Sequence, residues 1–494
     1  MNLHSAFASS VERRGDAPAV CLGDEEFSYR RVDAQARALA ARLRGDFGLQ
    51  PGDRVGIWLK NCPQFPAVVF GVWQAGGVVV MINNFLKPDE VAYIVRDSGA
   101  TMIISEAGLG EAQAKVGALV PGMKFLLLEQ FPRPEGAPAD FTVAQQTEGD
   151  LAALLYTSGT TGHPKGAMLT HGNFLHNVAS CLQCLEVTER DRLVVLLPQF
   201  HSFMFTVGTL LPMLGGAAII LLKSVHPIKQ VFEEILQRRG TILPAVPQIW
   251  RMISQLAPPA DWPVRLCISG GAPLPVEVLR EFNAKFPTPL VEGYGPTESS
   301  PVASVNPIHG LQKPGSVGVP IPGVELSIRD DDGAELPLGA TGEICIRGGN
   351  VMRGYWNQPE ETAKVLRDGW LYTGDVGHRD ADGYYFITDR KKDMLLVNGI
   401  NVYPREVEEV IYKFPGIKEA AVVGIKDARK GEAPVAFVAL NEGAAFAEPD
   451  LIRFLREKLA DYKVPRNVRV IPALPRNATG KVLKTTLREL AQRE

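Results

Sequence analysis

The sequence predicts an α/β fold with a large N-terminal domain of parallel-rich sheets and helices, a β-barrel-like section, and a small α+β C-terminal domain. Short β-branched runs alternate with amphipathic stretches through most of the chain, the texture turns to strands and tight turns after about Gly323, and a further set of strands and helices follows a charged segment at Asp389. Alternation of this kind builds parallel sheets, because a parallel connection needs a crossover that is usually a helix.

RVGIWL, PQFPAVVFGVWQAG, VVVMI, EVAYIVRDSG and TMIIS read in turn as strand, helix, strand, helix, strand. The Pro-, Ala- and Glu-containing stretch from Gln130 to Gly149 reads as a surface loop. Val194 to Leu222 carries no Asp, Glu, Lys or Arg and is long enough to span a bilayer. Pro198, His201, Pro212 and Gly215-Gly216 divide it into strand, loop, helix and strand of a buried core, so no transmembrane segment is expected. VELSIRDDDG, GEICIRG and GYYFIT predict a mostly antiparallel section, and DRKKD at 389–393 a solvated connection. Beyond it VEEVIYKF is amphipathic, EAAVVGI and APVAFVAL are strands, and DLIRFLREKLADY is a helix with Asp450 as N-cap. The expected division is 1–388 and 393–494, joined at 389–392.

The 494 residues carry 52 Lys+Arg against 55 Asp+Glu, a formal charge of −3, which excludes a partner held by bulk positive charge such as nucleic acid. With 46% hydrophobic and 22% charged residues the chain is globular rather than disordered. Six cysteines are too sparse for a disulfide framework and fit a reducing cytoplasm. Cys181 and Cys184 form a C-x-x-C with no second pair or His pair to complete a zinc site, so they read as helix residues. Glu12, Arg13 and Arg14 fall where a signal peptide would need its apolar run, and no export signal is expected.

The strongest local signal is YTSGTTGHPKG, Tyr156 to Gly166, directly after LAALL. Thr157, Ser158, Gly159, Thr160 and Thr161 let hydroxyls and backbone N–H groups approach an anion, and Lys165 adds a point charge, so phosphate contact is the natural reading. It is not a Walker A loop, since five residues on from Gly159 stands Pro164.

Six further stretches follow in fixed order: PQFH at 198–201, SGGAPL at 269–274, GYGPTE at 293–298, YTGD at 372–375, DRKKDMLLVNGINVYPREVE at 389–408 and PRNATGKVLK at 475–484. With these the chain resembles, over nearly its whole length, the adenylate-forming superfamily of acyl-CoA synthetases, luciferases and peptide-synthetase adenylation domains. The resemblance implies a ligase using ATP, Mg²⁺ and coenzyme A, in which a carboxylate attacks the α-phosphate although anion repels anion. It implies that Lys481 bridges carboxylate and α-phosphate, that Thr297 contacts the α-phosphate, and that Glu298 holds Mg²⁺. Tyr294 would pack on adenine, Asp375 accept from the ribose hydroxyls with Arg390 beside it, and Gly270, Gly271 and Ala272 lie along adenine and the acyl pocket. The C-terminal domain is then a mobile lid pivoting at Lys392, which brings Gly399 in to leave room for pantetheine. His201 would stand near the substrate carboxylate and shift to open the thiol route. Thr297 also reads as the cap of a following helix.

Amino-acid-activating relatives carry an Asp near this His, whereas FHSFMF has no carboxylate, which disfavours an amino-acid substrate. Phe203, Met204, Phe205, Val246 and Trp250 offer apolar walls suited to a medium- or long-chain fatty acid. No carrier module follows, so coenzyme A is the preferred acceptor. Three alternatives stay open: an aryl or other small-acid CoA ligase, an acyl-AMP ligase loading a carrier protein, and a non-catalytic nucleotide-binding scaffold, against which the intact Lys481, Glu298 and Thr297 speak. A homodimer and peripheral contact with a membrane also stay open.

Overall fold

The computed structural model describes residues 1–131, 141–157, 164–225, 227–427, 431–476 and 481–492. Four sheets organise them. The largest has nine strands, and its centre is parallel: Leu290–Tyr294, Leu266–Ser269, Ile242–Ala245, Arg192–Val195, Ala218–Leu221 and Pro18–Leu22 lie side by side in that order. A seven-stranded sheet is built around Leu151–Thr157, Val78–Met81, Arg54–Trp58, Met102–Ser105 and Lys124–Leu127, also parallel, with Lys165–Thr170 antiparallel to the first of these. The strands of both centres are near-continuous apolar runs, as strands covered on both faces must be. Helix Phe65–Gln74, apolar on all sides in sequence, is buried on every side.

The antiparallel section is a five-stranded sheet of Val324–Arg329, Gly342–Gly348, Trp370–Arg379, Leu366–Arg367 and Tyr385–Arg390. The fourth sheet, also five-stranded, joins Leu395–Val397, Ile400–Val402, Ile417–Asp427, Gly431–Leu440 and Val468–Val470, and helices Pro404–Ile411 and Glu448–Arg456 pack on it through Val407, Ile411, Leu451 and Leu455. The run Val194 to Leu222 forms a strand, a π-helical turn Met204–Leu210 leading into helix Leu211–Gly215, and a second strand. Among the described residues no helix is long and apolar enough to cross a membrane. Part of the loop expected from Gln130 to Gly149, namely 132–140, lies outside the described residues.

Two local expectations are corrected. The helix expected to start at Asp450 begins at Glu448 with Ala447 as N-cap, so Asp450 lies inside its first turn, where a carboxylate still meets the positive end of the helix dipole. The DRKKD segment is a solvated connection only in part: Lys391 and Lys392 are exposed, whereas the two ends are drawn into the protein. Asp389 is buried and accepts from the Arg390 and Arg405 N–H groups, Arg390 pairs with Asp375, Lys391 with Asp331 and Glu343, and Asp393 with Arg488. The ends of a charged run can be drawn inward where they find partners, which local composition does not reveal.

The parallel strands of the nine-stranded sheet all end on one side, and the segments Pro198–His201, Gly270–Gly271 and Gly295–Thr297 leave from those carboxyl ends, where open α/β sheets bind ligands. Gly295 is required by space: an added Cβ would stand 1.6 Å from the Pro301 carbonyl oxygen, which no rotamer change relieves. Replacing Gly295 with Ala is expected to cost about 3 kcal/mol of stability, read as a lowered thermal midpoint; a midpoint equal to wild type would contradict this close approach.

Candidate active site

The site is anchored by a cross-strand ion pair. Asp375 on Trp370–Arg379 and Arg390 on Tyr385–Arg390 are register partners, and Arg390 Nε donates to Asp375 Oδ1 at 2.8 Å. The other carboxylate oxygen accepts from the Tyr294 hydroxyl at 2.7 Å, which ties the antiparallel sheet to the end of a central parallel strand. Asp375 is buried. Its charge and hydrogen bond hold Arg390 firmly cationic, while burial, followed by the Asp375 charge, pushes the Tyr294 phenol up. The pair therefore presents a fixed acceptor and a fixed cation side by side.

Thr297 and Ser202 hydroxyls meet at 3.1 Å, joining GYGPTE to the loop that carries His201. Thr297 opens a short 3₁₀ turn whose N-cap is Pro296, so it does not serve as the cap itself and its hydroxyl is used across the loop instead. Glu298 Oε1 accepts from the Tyr355 hydroxyl at 2.8 Å and from Thr157 Oγ1 at 3.4 Å. This donor set is hard oxygen. Among the described residues no group of three or more His, Cys, Asp or Glu gathers to hold a metal, so an ion at Glu298 would take its remaining ligands from substrate oxygens and water, a set that fits Mg²⁺.

Lys165, expected to add a point charge for a phosphate, is buried in an ion pair with Glu361 and sits 5.2 Å over the Tyr355 ring. Hydrogen bonds from Lys165 and then Lys364 hold the Glu361 carboxyl at about 2. A buried ammonium takes the nearest carboxylate, and helix Pro359–Val365 supplies one. Ser158, Gly159, Thr160 and Thr161 lie outside the described residues.

His201 Nδ1 accepts from the Phe203 N–H at 3.4 Å, which leaves the proton on Nε2. Burial, and then the Lys481 charge, push its pKa down to about 4, so the ring is neutral at pH 7. Lys481 stands at the open mouth of the cleft, solvent-accessible yet closely surrounded by protein. That surrounding desolvates the ammonium and, with Arg390 and Lys392 opposing it and Asp375 and Asp393 supporting it, holds it at about 8. Lys392 is lowered as well, first by burial and then by Arg390. Residue 481 therefore stands within reach of the charges of Arg390 and Asp375.

Between His201 and Tyr294 lies a cavity of about 50 Å³, lined by Phe203, Val207, Gly270, Gly271 and, at the end of helix His171–Cys184, by Cys184 and Leu185. A Cβ on Gly270 would meet the Phe203 ring at 3.2 Å. Ala272, next in the loop, does not line it. Of the expected apolar walls only Phe203 does. Met204, Phe205 and Trp250 are fully buried in the core, Phe205 edge-on to Phe174 at 5.3 Å and Trp250 to Phe282 at 5.4 Å, while Val246 stands just outside beside Gly271. Gly399 occupies an exposed turn at φ +77° with open space around it. Ser202, Tyr355 and Glu361 were not singled out from the sequence; Ser202 adjoins the PQFH motif, but the partners of the other two lie on distant elements.

With this geometry in hand, comparison places the chain. Residues 7–356 match the model of the AMP-binding enzyme family, and residues 406–481 match the AMP-binding enzyme C-terminal domain. The chain belongs to the AMP-binding enzyme family. It is 36% identical to a long-chain-fatty-acid–CoA ligase of Bacillus subtilis, covering 99% of this chain and 94% of that one. It is also 36% identical to a feruloyl-CoA synthase of an Amycolatopsis species, covering 96% and 95%. Among solved structures, ATP-bound MatB from Rhodopseudomonas palustris superposes with a TM-score of 0.92 at 33% identity, covering 100% of this chain and 99% of that one. The apo form of the same protein gives a TM-score of 0.80 at 32% identity and equal coverage.

The electrostatics give a direct expectation. Arg390→Gln should raise the Lys481 pKa from about 8, because the cation that opposes its protonation is gone. Nuclear magnetic resonance of ¹³C-methylated lysine reads it; a downward shift would show that the two cations do not face each other.

Proposed function

We propose that the protein is an ATP-dependent acid:CoA ligase that activates a fatty acid of medium or long chain as acyl-AMP and then transfers the acyl group to coenzyme A. The observation that carries this reading is the convergence, at the carboxyl ends of one parallel sheet, of the Tyr294–Asp375–Arg390 set, the Thr297 and Glu298 oxygens, neutral His201 and the Lys481 ammonium. In the first step a carboxylate oxygen bonds to the α-phosphorus of ATP as the bond to the β-phosphate oxygen breaks, and pyrophosphate leaves. The obstacle is repulsion between anions, and fixed cations and donors placed where charge accumulates reduce it without reorganising. Lys481 and Arg390 supply the charge, Thr297 a hydroxyl, and Asp375 a ribose acceptor. Glu298 would hold Mg²⁺, which when bound neutralises phosphate charge. In the second step the thiol attacks the acyl carbonyl carbon and AMP leaves.

Neutral His201 beside Phe203 and Gly270 gives the carboxylate an uncharged approach, and the apolar cavity lining suits the hydrocarbon portion of the acid. Pivoting at Lys392, with Gly399 entering, opens the way for the thiol. The six free thiols favour the reducing cytoplasm as the site of action. The size of the cavity favours a second reading, a compact aryl acid: about 50 Å³ is far below the ~150 Å³ that takes up a benzene ring, so either acid must displace side chains, and a short planar one displaces fewer.

Lys481→Ala should lower acyl-AMP formation by about a hundredfold to a thousandfold while leaving thioester formation from supplied acyl-AMP intact; equal losses in both half-reactions would remove Lys481 from its assigned place. A panel of aliphatic and aromatic acids, assayed for pyrophosphate release with and without coenzyme A, should rank medium or long aliphatic acids first and consume coenzyme A. Benzoates or cinnamates ranking above every aliphatic acid would transfer the assignment to the aryl class.

A further inference from the structure

Helix Pro404–Ile411 of the lid has two faces of different character. Val407 and Ile411 are buried in the lid's own core. Arg405, Glu409 and the C-cap Tyr412 fall at i, i+4 and i+7, one stripe of a 3.6-residue helix, with Tyr412 at the edge of the lid's core, where its hydroxyl accepts from the Ala420 N–H at 3.2 Å. Each of the three meets the body. The Arg405 backbone N–H donates to the Asp389 carboxylate at 2.8 Å and its guanidinium donates to the Ile387 carbonyl at 2.8 Å, while buried Glu292 stands within its field. The Glu409 carboxyl faces the Val276 backbone at the start of helix Val276–Asn283, whose N–H favours its charged form. The Arg251 guanidinium, on helix Pro247–Ser254, lies 5.2 Å over the Tyr412 ring.

We infer that the stripe Arg405–Glu409–Tyr412 is the docking face that selects the lid position with Lys481 in the cleft, acting as a set of positioning residues. The inference rests on the two-step reading above and deepens it by naming what holds the lid between the steps. The Arg405 guanidinium meets a carbonyl with a buried carboxylate nearby, a carboxyl faces a helix N-terminus, and a ring meets a cation, while the partners come from four separate elements. A face shaped this way fits one orientation. Its polar contacts exchange for water at small net cost, so the lid can also leave, which a broad apolar seam would resist. Burial pushes Glu292 up to about 7 and Glu409 upward too, in each case against the opposing pull of the Arg405 charge.

The test uses the full-length protein carrying Arg251→Ala with Glu409→Gln, and separately Arg405→Lys. None of these residues is placed at the reacting atoms. Spin labels at Leu338→Cys on the body and Val470→Cys on the lid, both exposed positions in a chain whose own thiols are largely buried, read the lid position without catalysis. The wild-type protein should show one dominant distance with ATP, the double variant a second population, and Arg405→Lys an intermediate distribution. In parallel, acyl-AMP formation should fall at least about tenfold in the double variant, with thioester formation from supplied acyl-AMP within twofold of wild type. An unchanged distance distribution, or both half-reactions falling together, overturns the docking face. A wild-type protein that makes no acyl-AMP overturns the functional reading instead, and the distance measurement still decides the docking face.

Discussion

Repulsion between two anions is the constraint on which this structure turns. A carboxylate and a triphosphate do not approach unless positive charge stands between them, and positive charge crowded together repels itself. The protein separates the problem in space. Arg390 is fixed to the body by strand register and held cationic by Asp375, while Lys481 arrives on another part of the chain and remains titratable at about 8. One cation is locked by its ion pair and the other stays titratable.

That division explains the architecture around the cleft. The body groups are pre-organised by elements formed for other reasons: parallel strands that end together, a glycine allowing the Pro301 carbonyl within 1.6 Å of where a Cβ would be, and a tyrosine bridging two sheets. Such groups reorganise little when charge develops, which is where electrostatic catalysis gains most. Lys481 belongs to a small sheet-and-helix unit with its own core, and Arg405 of that unit donates to the Asp389 carboxylate and the Ile387 carbonyl of the preceding strand.

Much of this was legible in the sequence because strand alternation and glycine-rich turns are local signals. The βαβ run from Arg54 to Ser105, the break of the apolar stretch at Pro198 and Gly215, and the motif residues around Tyr294, Asp375 and Lys481 follow from neighbours in sequence. What was not legible depends on partners far along the chain. Lys165 carries its charge into a pair with Glu361, 196 positions away, and Tyr355 reaches Glu298 across 57. DRKKD looks like a solvated turn until Asp375, Glu343, Arg405 and Arg488 are placed around it. Trp250 and Phe205 looked like pocket walls because aromatic content does not say which side of a strand or helix faces a cavity.

The central claim is that a carboxylate oxygen becomes bonded to the α-phosphorus of ATP. Isotope transfer tests it most directly: a substrate acid labelled with ¹⁸O in its carboxylate is turned over with ATP and coenzyme A, and the products are weighed by mass spectrometry. The account predicts AMP carrying one labelled oxygen and unlabelled pyrophosphate. Unlabelled AMP, with the label retained in the thioester or found in inorganic phosphate, would contradict it.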